Sequence, residues 1–471
     1  MKLDAGALQI ARRLRANGHR ALLAGGCVRD VLLERPPQDW DLATDAAPAQ
    51  VMELFPRTVA VGARFGIVKV RHAGAEYEVA QFRRDLSYAD GRHPLAVVPA
   101  DARTDALRRD FTVNAMFIDP ETGAVLDYVD GQQDLQRRLI RAVGDPERRF
   151  AEDHLRMLRA IRFAAALDFE VEERTRAAIT AHAACIRAIS AERVAAELTA
   201  ILTGARAGSA LRLLEGTGLL EHVLPEVAAT RGVAQPPEYH PEGDVWTHTW
   251  LTVDRLRAPS PVVAWAALLH DVGKPLTQSQ AERIRFHGHE AVGAEVARRA
   301  VQRLRLSRDD ASAIVGLVAE HMRLRHARQM RPGKLRRLLV GPRGADLLEL
   351  HRADCLASHG DLSLYCFCRQ ELAAATAAVP RPQRLLTGDD LQDMGFRPGP
   401  AFGEILAAIE EEQLAGGIAD RAGAAAFVAA RFGARRAGAP QPVAGAPPAA
   451  AAGRAATDSP DGASAGATAD G

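Results

Sequence analysis

Two aspartates spaced two positions apart follow a pair of glycines near the start of the chain. They are Gly25, Gly26, Asp39 and Asp41 in the stretch GGCVRDVLLERPPQDWDLAT. Side chains at positions i and i+2 of a β-strand point to the same face, so Asp39 and Asp41 are predicted to chelate Mg²⁺ together. The glycines let the backbone approach a triphosphate, and a helix that begins near Val28 would direct its N–H groups at that anion. The spacing therefore predicts a phosphate site beside a metal site.

Three ordered motifs in the first half of the chain resemble a known family. They are GGCVRD with DWDLAT, RRDFTVNAM at residues 108–116, and EDHLRMLRAIRFAA at residues 152–165. They are similar to motifs of the class II tRNA nucleotidyltransferases, the CCA-adding enzymes, and of their poly(A) polymerase relatives, over roughly residues 20–230. The resemblance implies an α+β fold, with a polymerase-β-like nucleotidyltransferase head followed by all-α neck, HD/body and tail domains.

The resemblance also implies the carboxylates of the catalytic site. Asp39 and Asp41 are expected to bind the metal, and Glu78 is the best match for a third, catalytic carboxylate on a nearby strand. An ordinary outward-facing strand residue is the alternative for Glu78. Residues 83–94, which include Arg83, Arg84 and Arg92, resemble a flexible loop beside the active site, with a plain solvated loop as the alternative.

Further residues of the head are candidates for contacts with the nucleotide. Arg29 would add positive charge beside the phosphates. By the resemblance, Arg109 and Asp110 lie near the sugar and the phosphates, whereas Asn114 is either structural or in contact with the sugar. A salt-bridged Arg109–Asp110 pair that supports the fold is the competing account.

The third motif suggests how a base is chosen without a nucleic-acid template. Asp153 and Arg156 are three positions apart, so they are predicted to project from one helix face. A carboxylate accepts from an exocyclic amine and a guanidinium donates to a ring nitrogen, a pattern that fits cytosine and adenine but not guanine or uracil. An exposed ion pair is the alternative. Arg159 and Arg162 continue the basic face and are candidates for contact with phosphate or RNA.

A second constellation of metal-ligand residue types lies in the middle of the chain. The order of its core residues resembles the HD phosphohydrolase superfamily, whose metals activate water toward phosphate esters. The candidate ligands are His248, His270, Asp271, His289, His321 and Asp354. A divalent transition metal or Mg²⁺ would suit this set, and a degenerate, merely structural domain is the alternative. We treat His287 as a weaker candidate and the remaining histidines of this region, His326, His351 and His359, as ordinary.

Composition limits the broad class of protein. The chain has 471 residues, with 60 Lys+Arg against 59 Asp+Glu, so its net charge neither demands nor excludes nucleic acid. Its five cysteines form no CxxC pairs, and no long apolar run or signal-peptide core is evident, so we expect a cytoplasmic protein without membrane association. The predicted domains are a head (1–145), a neck (146–235), an HD domain (236–375), a helical tail (376–434) and a disordered segment (435–471).

These patterns lead to one principal functional hypothesis and two alternatives. The principal hypothesis is addition of all or part of the 3′-terminal CCA to tRNA from CTP and ATP, with Mg²⁺ at the head and an HD phosphohydrolase activity in addition. The alternatives are a poly(A) polymerase that uses ATP alone, or chiefly a metal-dependent phosphohydrolase. Oligomeric state, and the choice between CC, A and full CCA addition, stay open.

Overall fold

The structure, a computed structural model, forms two compact units, which comprise residues 1–381 and 382–471. It describes residues 3–60, 66–88, 94–280, 283–378 and 383–435. Arg92 lies outside the described residues, as does the predicted disordered segment apart from Arg435. The boundaries predicted at residues 145 and 235 fall inside the first unit and stay predictions.

A mixed β-sheet forms the framework of the amino-terminal part, with the strand order β3-β4-β5-β2-β1-β8-β9. Its strands are β1 (Ala21–Ala24), β2 (Asp41–Thr44), β3 (Thr58–Val59), β4 (Ile67–His72), β5 (Ala75–Gln81), β8 (Phe117–Ile118) and β9 (Val125–Leu126). The β2–β5 pair is parallel, and the other neighbours are antiparallel. Strands β6 (Arg83–Tyr88) and β7 (Pro94–Pro99) pair separately, so the loop prediction is wrong for residues 83–88.

Short helices pack around this sheet. They are α1 (Ala5–Ala16), α2 (Gly26–Leu32), α3 (Pro48–Leu54), α4 (Ala102–Arg108) and α5 (Gly131–Arg137). Helix α1 shows why the sequence folds locally in this way. Asp4 caps it by accepting a hydrogen bond from the Ala7 N–H, and Ile10 and Leu14 bury one face of the helix in the core.

The chain becomes helical beyond this sheet. The next elements are β10 (Leu139–Ile140), α6 (Pro146–Glu152), α7 (Arg156–Leu167), β11 (Glu170–Val171), α8 (Glu173–His182), α9 (Ala191–Leu202), α10 (Ala207–Gly216), α11 (Leu220–Val223) and α12 (Pro225–Ala228). Helix α7 presents a wide apolar face that includes Met157, Leu158 and Ile161, and all three are fully buried. Apolar packing therefore holds this region to the sheet-bearing part in one continuous core.

A further helical region completes the first unit. It contains α13 (Val245–Asp254), α14 (Pro261–Leu269), α15 (Lys274–Thr277), the hairpin of β12 (Gln278–Gln280) and β13 (Ile284–Phe286), α16 (His289–Arg303), α17 (Arg308–Glu320), a 3₁₀ segment (His321–Gln329), α18 (Pro332–Val340), α19 (Gly344–Ala357) and α20 (Ser363–Ala378). Helix α14 is apolar on nearly every side and is buried at the centre. Its carboxyl end, at His270, is thereby fixed in the interior.

The second unit is a small helical assembly. Its helices are α21 (Gly388–Asp393), α22 (Pro400–Ala415) and α23 (Arg421–Phe432). Ile405, Val428 and Phe432 belong to its own apolar core. Among the described residues of the whole chain, no helix has both the length and the apolar character needed to cross a bilayer.

Candidate functional site

Three carboxylates lie together at one end of the parallel strand pair. The register of β2 and β5 places Asp41 level with Glu78, so their side chains are neighbours on one face. Asp39 lies just before β2, so the prediction that both aspartates lie within one strand is wrong for Asp39. Burial, together with the negative charges of Glu78 and Asp39, raises the pKa of Asp41 to about 6, against the opposing effect of Arg109. Such concentrated oxygen ligands suit a hard divalent cation.

A glycine turn stands beside these carboxylates. Gly25 has φ 75° and ψ −130°, a conformation that side-chain-bearing residues rarely adopt. A Cβ atom at this position would lie 3.0 Å from Nη1 of Arg109. Helix α2 begins at Gly26, two residues earlier than the start predicted near Val28. Gly25 is therefore required both by the backbone conformation and by the closeness of the guanidinium.

Arg29 and Asn114 are joined in a polar network next to this turn. Nη1 of Arg29 donates to Oδ1 of Asn114 at 2.7 Å, and its Nε donates to Asp30 at 2.9 Å. The Asn114 amide donates in turn to Oδ1 of Asp110 at 3.4 Å. Of the two roles considered for Asn114, these contacts support the structural one.

Arg109 and Asp110 have different partners. Arg109 donates to Oδ2 of Asp105 through Nε at 3.1 Å and Nη2 at 3.0 Å, and its Nη1 donates to the Asn114 carbonyl at 3.3 Å. Asp110 instead accepts from Nη2 of Arg159 at 2.7 Å. Burial alone would raise the pKa of Asp110, but the Arg159 charge and hydrogen bonds lower it. The competing account, an Arg109–Asp110 salt bridge, is therefore wrong.

Asp105 is a residue that the sequence reasoning missed. Its carboxyl group is almost completely buried, and it accepts hydrogen bonds from Arg109, Arg108 and the backbone N–H of Arg83. An available signal was its position four residues before Arg109, a spacing at which side chains are neighbours on a helix, although Arg109 itself follows the last residue of α4. Asp105 holds the Arg109 guanidinium in the orientation that approaches Gly25.

Asp153 lies in a break between two helices. Helix α6 ends at Glu152 and α7 begins at Arg156, while Asp153 itself is extended, with φ −150° and ψ 104°. The prediction that Asp153 and Arg156 project from one helix face is therefore wrong. The physical reason is local: the Asp153 carboxylate accepts a hydrogen bond from the Leu155 N–H at 3.0 Å, which competes with helix continuation. Oδ2 of Asp153 also pairs with Arg193 at 2.7 Å.

Arg156 faces a set of protein acceptors. Its Nη1 donates to Glu152 at 2.7 Å and to the Arg149 carbonyl at 3.0 Å, and its Nη2 donates to the Arg108 carbonyl at 3.1 Å. Because Arg108 is the last residue of α4, Arg156 joins the sheet-bearing part to the helices that follow. These three bonds use three of the five N–H groups of the guanidinium.

Arg159 and Arg162 already have carboxylate partners. Arg162 pairs with Glu197 at 2.6 Å, and Arg159 lies 3.7 Å from the same carboxylate in addition to its bond with Asp110. Both guanidinium groups also lie over the Phe163 ring. The basic face is thus neutralised within the protein, and contact with phosphate or RNA stays a prediction.

The six candidate ligands of the middle region come together in space. They fall into two groups that could each hold a metal ion, namely His248, His270 and Asp354, and then Asp271, His289 and His321. Nε2 of His248 lies 3.2 Å from Nε2 of His270 and 3.0 Å from Asp354. His287 belongs to neither group. Five helices or their ends, α13, α14, α16, α17 and α19, supply these ligands, so only the folded chain assembles them.

Hydrogen bonds to the backbone determine which ring nitrogens face the centre. The Nδ1 atoms of His270, His289 and His321 lie 2.7–2.9 Å from the carbonyl oxygens three residues earlier, so Nδ1 is assigned as the donor and Nε2 keeps its lone pair. Burial and the neighbouring His270 lower the pKa of His321 to about 3, which keeps that ring neutral. Nε2 of His289 and Nε2 of His321 nevertheless face each other at 3.2 Å. Two opposed lone pairs are favourable only with a cation between them, so this donor set fits a metal.

Glu242 and His240 are further residues that the sequence reasoning missed. Oε1 of Glu242 accepts from Nδ1 of His248 at 2.7 Å and from Nδ1 of His240 at 2.9 Å. Burial would raise the pKa of Glu242, but these bonds lower it to about 2. A carboxylate behind a ligating imidazole orients the ring and increases its basicity. The His-x-Glu spacing in YHPEGD was the available signal.

A cavity of about 1000 Å³ opens from this centre. His270, Asp271, His289 and Asp354 contribute to its wall. The histidines that sequence reasoning set aside, His287, His326, His351 and His359, also line it. This location is compatible with the predictions that His287 is the weaker ligand candidate and that His326, His351 and His359 are ordinary histidines, and these stay predictions.

The fold and these two sites define a class of protein: a polymerase-β-like nucleotidyltransferase head joined to a helical HD domain. Sequence models of three families agree. The "Poly A polymerase head domain" matches residues 21–141, the "Probable RNA and SrmB- binding site of polymerase A" matches residues 168–230, and the "HD domain" matches residues 245–358. Proteins of this class depend on metal ions, and among the described residues the HD region contains groups of side chains that could hold them.

Comparison with individual relatives identifies the family. The chain is 33% identical over 419 residues to the CCA-adding enzyme of Lacticaseibacillus paracasei. This match covers 88% of this chain and 92% of the relative. The protein belongs to the family of CCA-adding enzymes. Matches to the CCA-adding enzymes of Geobacillus thermodenitrificans and Geobacillus kaustophilus, at 41% and 45% identity, cover 57% and 47% of this chain and only 63% and 55% of those relatives.

Solved structures show the same architecture. The Bacillus stearothermophilus CCA-adding enzyme in complex with CTP has a TM-score of 0.69 and 28% identity, and the match covers 91% of this chain and 98% of that one. The Thermotoga maritima CCA-adding enzyme complexed with tRNA has a TM-score of 0.57 at 19% identity, over 90% of this chain and 94% of that one. This second likeness shows the fold alone.

Proposed function

We propose that this protein adds all or part of the 3′-terminal CCA sequence to tRNA, using CTP and ATP and no nucleic-acid template. The observation that carries the proposal is the carboxylate cluster of Asp39, Asp41 and Glu78 beside the Gly25 turn. The relatives described above are named CCA-adding enzymes, and the structure of one of them is a complex with CTP. They do not favour the poly(A) polymerase or a protein that is chiefly a phosphohydrolase. A cytoplasmic location is part of the proposal.

In the proposed reaction the tRNA 3′-oxygen attacks the α-phosphorus, and the bond from that phosphorus to the bridging oxygen of pyrophosphate breaks. Asp39, Asp41 and Glu78 would hold Mg²⁺, which supplies charge stabilisation to the attacking and leaving oxygens when bound. Gly25 lets the backbone approach the phosphates closely, and Arg109 presents positive charge to them. Asp105 keeps that guanidinium oriented.

Base selection is proposed to rest on Asp153 and Arg156. Among the described contacts, Arg156 keeps its Nε–H and one Nη2–H for a ring nitrogen or carbonyl of the base. The Asp153 carboxylate accepts from the Leu155 N–H and from Arg193, which leaves it capacity for an exocyclic amine. The two residues do not share a helix face, since Asp153 lies just after α6 and Arg156 begins α7. Their proposed preference for cytosine and adenine is unchanged.

Single-nucleotide incorporation tests the proposal. The purified protein is incubated with tRNA transcripts that end before the first C, the second C or the terminal A, with each of the four nucleoside triphosphates in turn. We expect CTP and ATP to be added in that order and only on tRNA. Asp41→Ala should abolish addition, and Glu76→Ala is a matched control, because Glu76 is an exposed carboxylate on the same strand as Glu78. Equal extension of an unrelated RNA with ATP alone would identify a poly(A) polymerase instead.

A second activity is proposed for the HD centre, and the facing Nε2 atoms favour it. The two groups of ligands would hold divalent transition metals, which supply an activated water for phosphoester hydrolysis when bound. Glu242 orients His248 in this arrangement. Incubation with a generic phosphoester and Mg²⁺, Mn²⁺, Ni²⁺ or Co²⁺ tests it. Absence of hydrolysis with every metal, in a protein that still adds CCA, would make the domain structural.

A further inference from the structure

The cavity beside the HD centre carries four arginines at its wall, of which Arg328 acts electrostatically on Asp361 and lies 4.7 Å from the centroid of the Phe367 ring. Arg283 and Arg285 contribute to one part of the wall, and Arg325 and Arg328 contribute to another. None of the four forms an ion pair with a described residue, whereas nearby Arg323 pairs with Glu320 at 2.8 Å. Arginines kept unpaired at a cavity wall are suited to bidentate contact with phosphate groups.

The charge of the cavity exceeds what its own carboxylates balance. Five cationic side chains line it, the four arginines and Lys274, against the carboxylates Asp271, Glu290, Asp354 and Asp361. Asp271 forms an ion pair with Lys274 at 2.6 Å, and Asp354 lies 3.0 Å from Nε2 of His248. Divalent cations at the ligand groups would add further positive charge. The cavity is therefore complementary to a ligand with several negative charges.

Aromatic rings are interleaved with these cations. Tyr239 lines the cavity and is 51% exposed, so its ring is available for stacking. Phe286 lines it as well, with the Lys274 ammonium 5.4 Å from its centroid. Cations that follow a backbone together with rings on which bases stack are the features of sites for single-stranded nucleic acid.

We propose that this cavity binds a short single-stranded oligonucleotide, with phosphates against Arg283, Arg285, Arg325 and Arg328 and a base stacked on Tyr239. The inference rests on the proposed HD centre for the position of the strand and extends it by naming the ligand class. The four arginines come from two separate segments of the chain, residues 283–285 and 325–328. A volume of about 1000 Å³ also lies at the top of the range for sites that enclose one small ligand.

Fluorescence anisotropy with a labelled hexanucleotide tests the proposal in the full-length protein, with Mn²⁺ present. We expect the double variants Arg283→Ala/Arg285→Ala and Arg325→Ala/Arg328→Ala each to weaken binding at least tenfold. Each lost phosphate contact should also reduce the slope of log affinity against log salt by roughly 0.7. Tyr239→Ala should weaken binding about tenfold with an unchanged salt slope, as expected for loss of stacking.

Matched measurements exclude trivial explanations. Arg299→Ala removes an exposed arginine of α16 outside the cavity and should leave affinity within twofold of wild type. CCA addition should be unchanged in all variants, which separates this site from tRNA binding elsewhere. Mn²⁺-dependent thermal stabilisation, measured on the same proteins, reports the metal centre independently, so failure of the HD proposal and failure of this one are distinguishable.

Three outcomes would overturn the proposal. In the first, the arginine variants bind the hexanucleotide as tightly as wild type. In the second, Arg299→Ala weakens binding as much as they do, which means that net charge alone is responsible. In the third, inorganic triphosphate displaces the probe as effectively as unlabelled hexanucleotide and Tyr239→Ala has no effect, which indicates a site for polyanions without bases.

Discussion

Replacing Gly25 by alanine, compared with a control glycine variant, should show whether Gly25 serves nucleotide addition in addition to stability. Gly25 has φ 75° and ψ −130°, and an alanine in such a conformation costs about 1–3 kcal/mol. The new Cβ would also lie 3.0 Å from Nη1 of Arg109. That guanidinium cannot simply turn away, because Asp105 and the Asn114 carbonyl hold it through three hydrogen bonds.

Gly74 provides the matched control. It lies in the exposed turn between β4 and β5 with φ 84°, and a Cβ there would meet nothing within 4 Å. Gly74→Ala therefore introduces a positive-φ strain in the same part of the fold without touching Arg109. Both variants should lower the thermal midpoint, Gly25→Ala by more because of the contact with Arg109, and only Gly25→Ala should disturb the nucleotide site.

The assay is single-nucleotide addition of CTP to a tRNA that lacks its CCA end. A misplacement of up to 1 Å at a reacting centre can cost about 100-fold, so we expect kcat/KM for Gly25→Ala to fall by about 10- to 100-fold. Gly74→Ala should stay within threefold of wild type. If both variants keep full kcat/KM, or both lose it equally, then Gly25 and Arg109 do not position the nucleotide and the proposed phosphate site is wrong.

Three other variants test separate parts of the structure. Asp110→Asn should lower the thermal midpoint, because removal of a charged hydrogen-bond partner from this partly buried pair costs about 1–3 kcal/mol. Glu197, 3.7 Å from Arg159, offsets only part of this cost. Because the pKa of Asp110 is lowered in the folded protein, its contribution to stability is present above about pH 4 and is lost as the pH falls further. A difference in thermal midpoint between wild type and Asp110→Asn that is the same at pH 7 and pH 3 would contradict this account. Asp153→Ala should raise UTP and GTP incorporation by about one to two decades while CTP addition persists; unchanged base ratios would place selection elsewhere. His270→Ala should remove the stabilisation by Mn²⁺, about 2.7 kcal/mol at 100 times the dissociation constant, and spare CCA addition; stabilisation equal to wild type would exclude His270 as a ligand.

Local spacing in the sequence was sufficient for the features that depend on a few neighbouring residues. The Gly25–Gly26 turn, the Asp39–Asp41 pair and the order of the HD ligands could all be identified from motifs, and so could the change from a mixed sheet to helices. The third carboxylate, Glu78, was suggested only by family resemblance, and the parallel register of β2 with β5 places it level with Asp41. Register between strands 37 residues apart is a property of the folded sheet, which the spacing within either strand does not encode.

Tertiary structure alone decided the partner of Asp110, whereas the Asp105–Arg109 pair is local, with the two residues four positions apart. Arg109 lies next to Asp110 in the sequence but binds Asp105, while Asp110 binds Arg159, 49 residues away. A buried charge takes the partner that the packed backbone brings within hydrogen-bonding distance, and adjacency in sequence gives no such geometry. At Asp153, by contrast, a local contact decided the structure. Its carboxylate accepts a hydrogen bond from the backbone N–H two residues later, and this bond interrupts a helix that hydrophobic periodicity alone predicts as continuous.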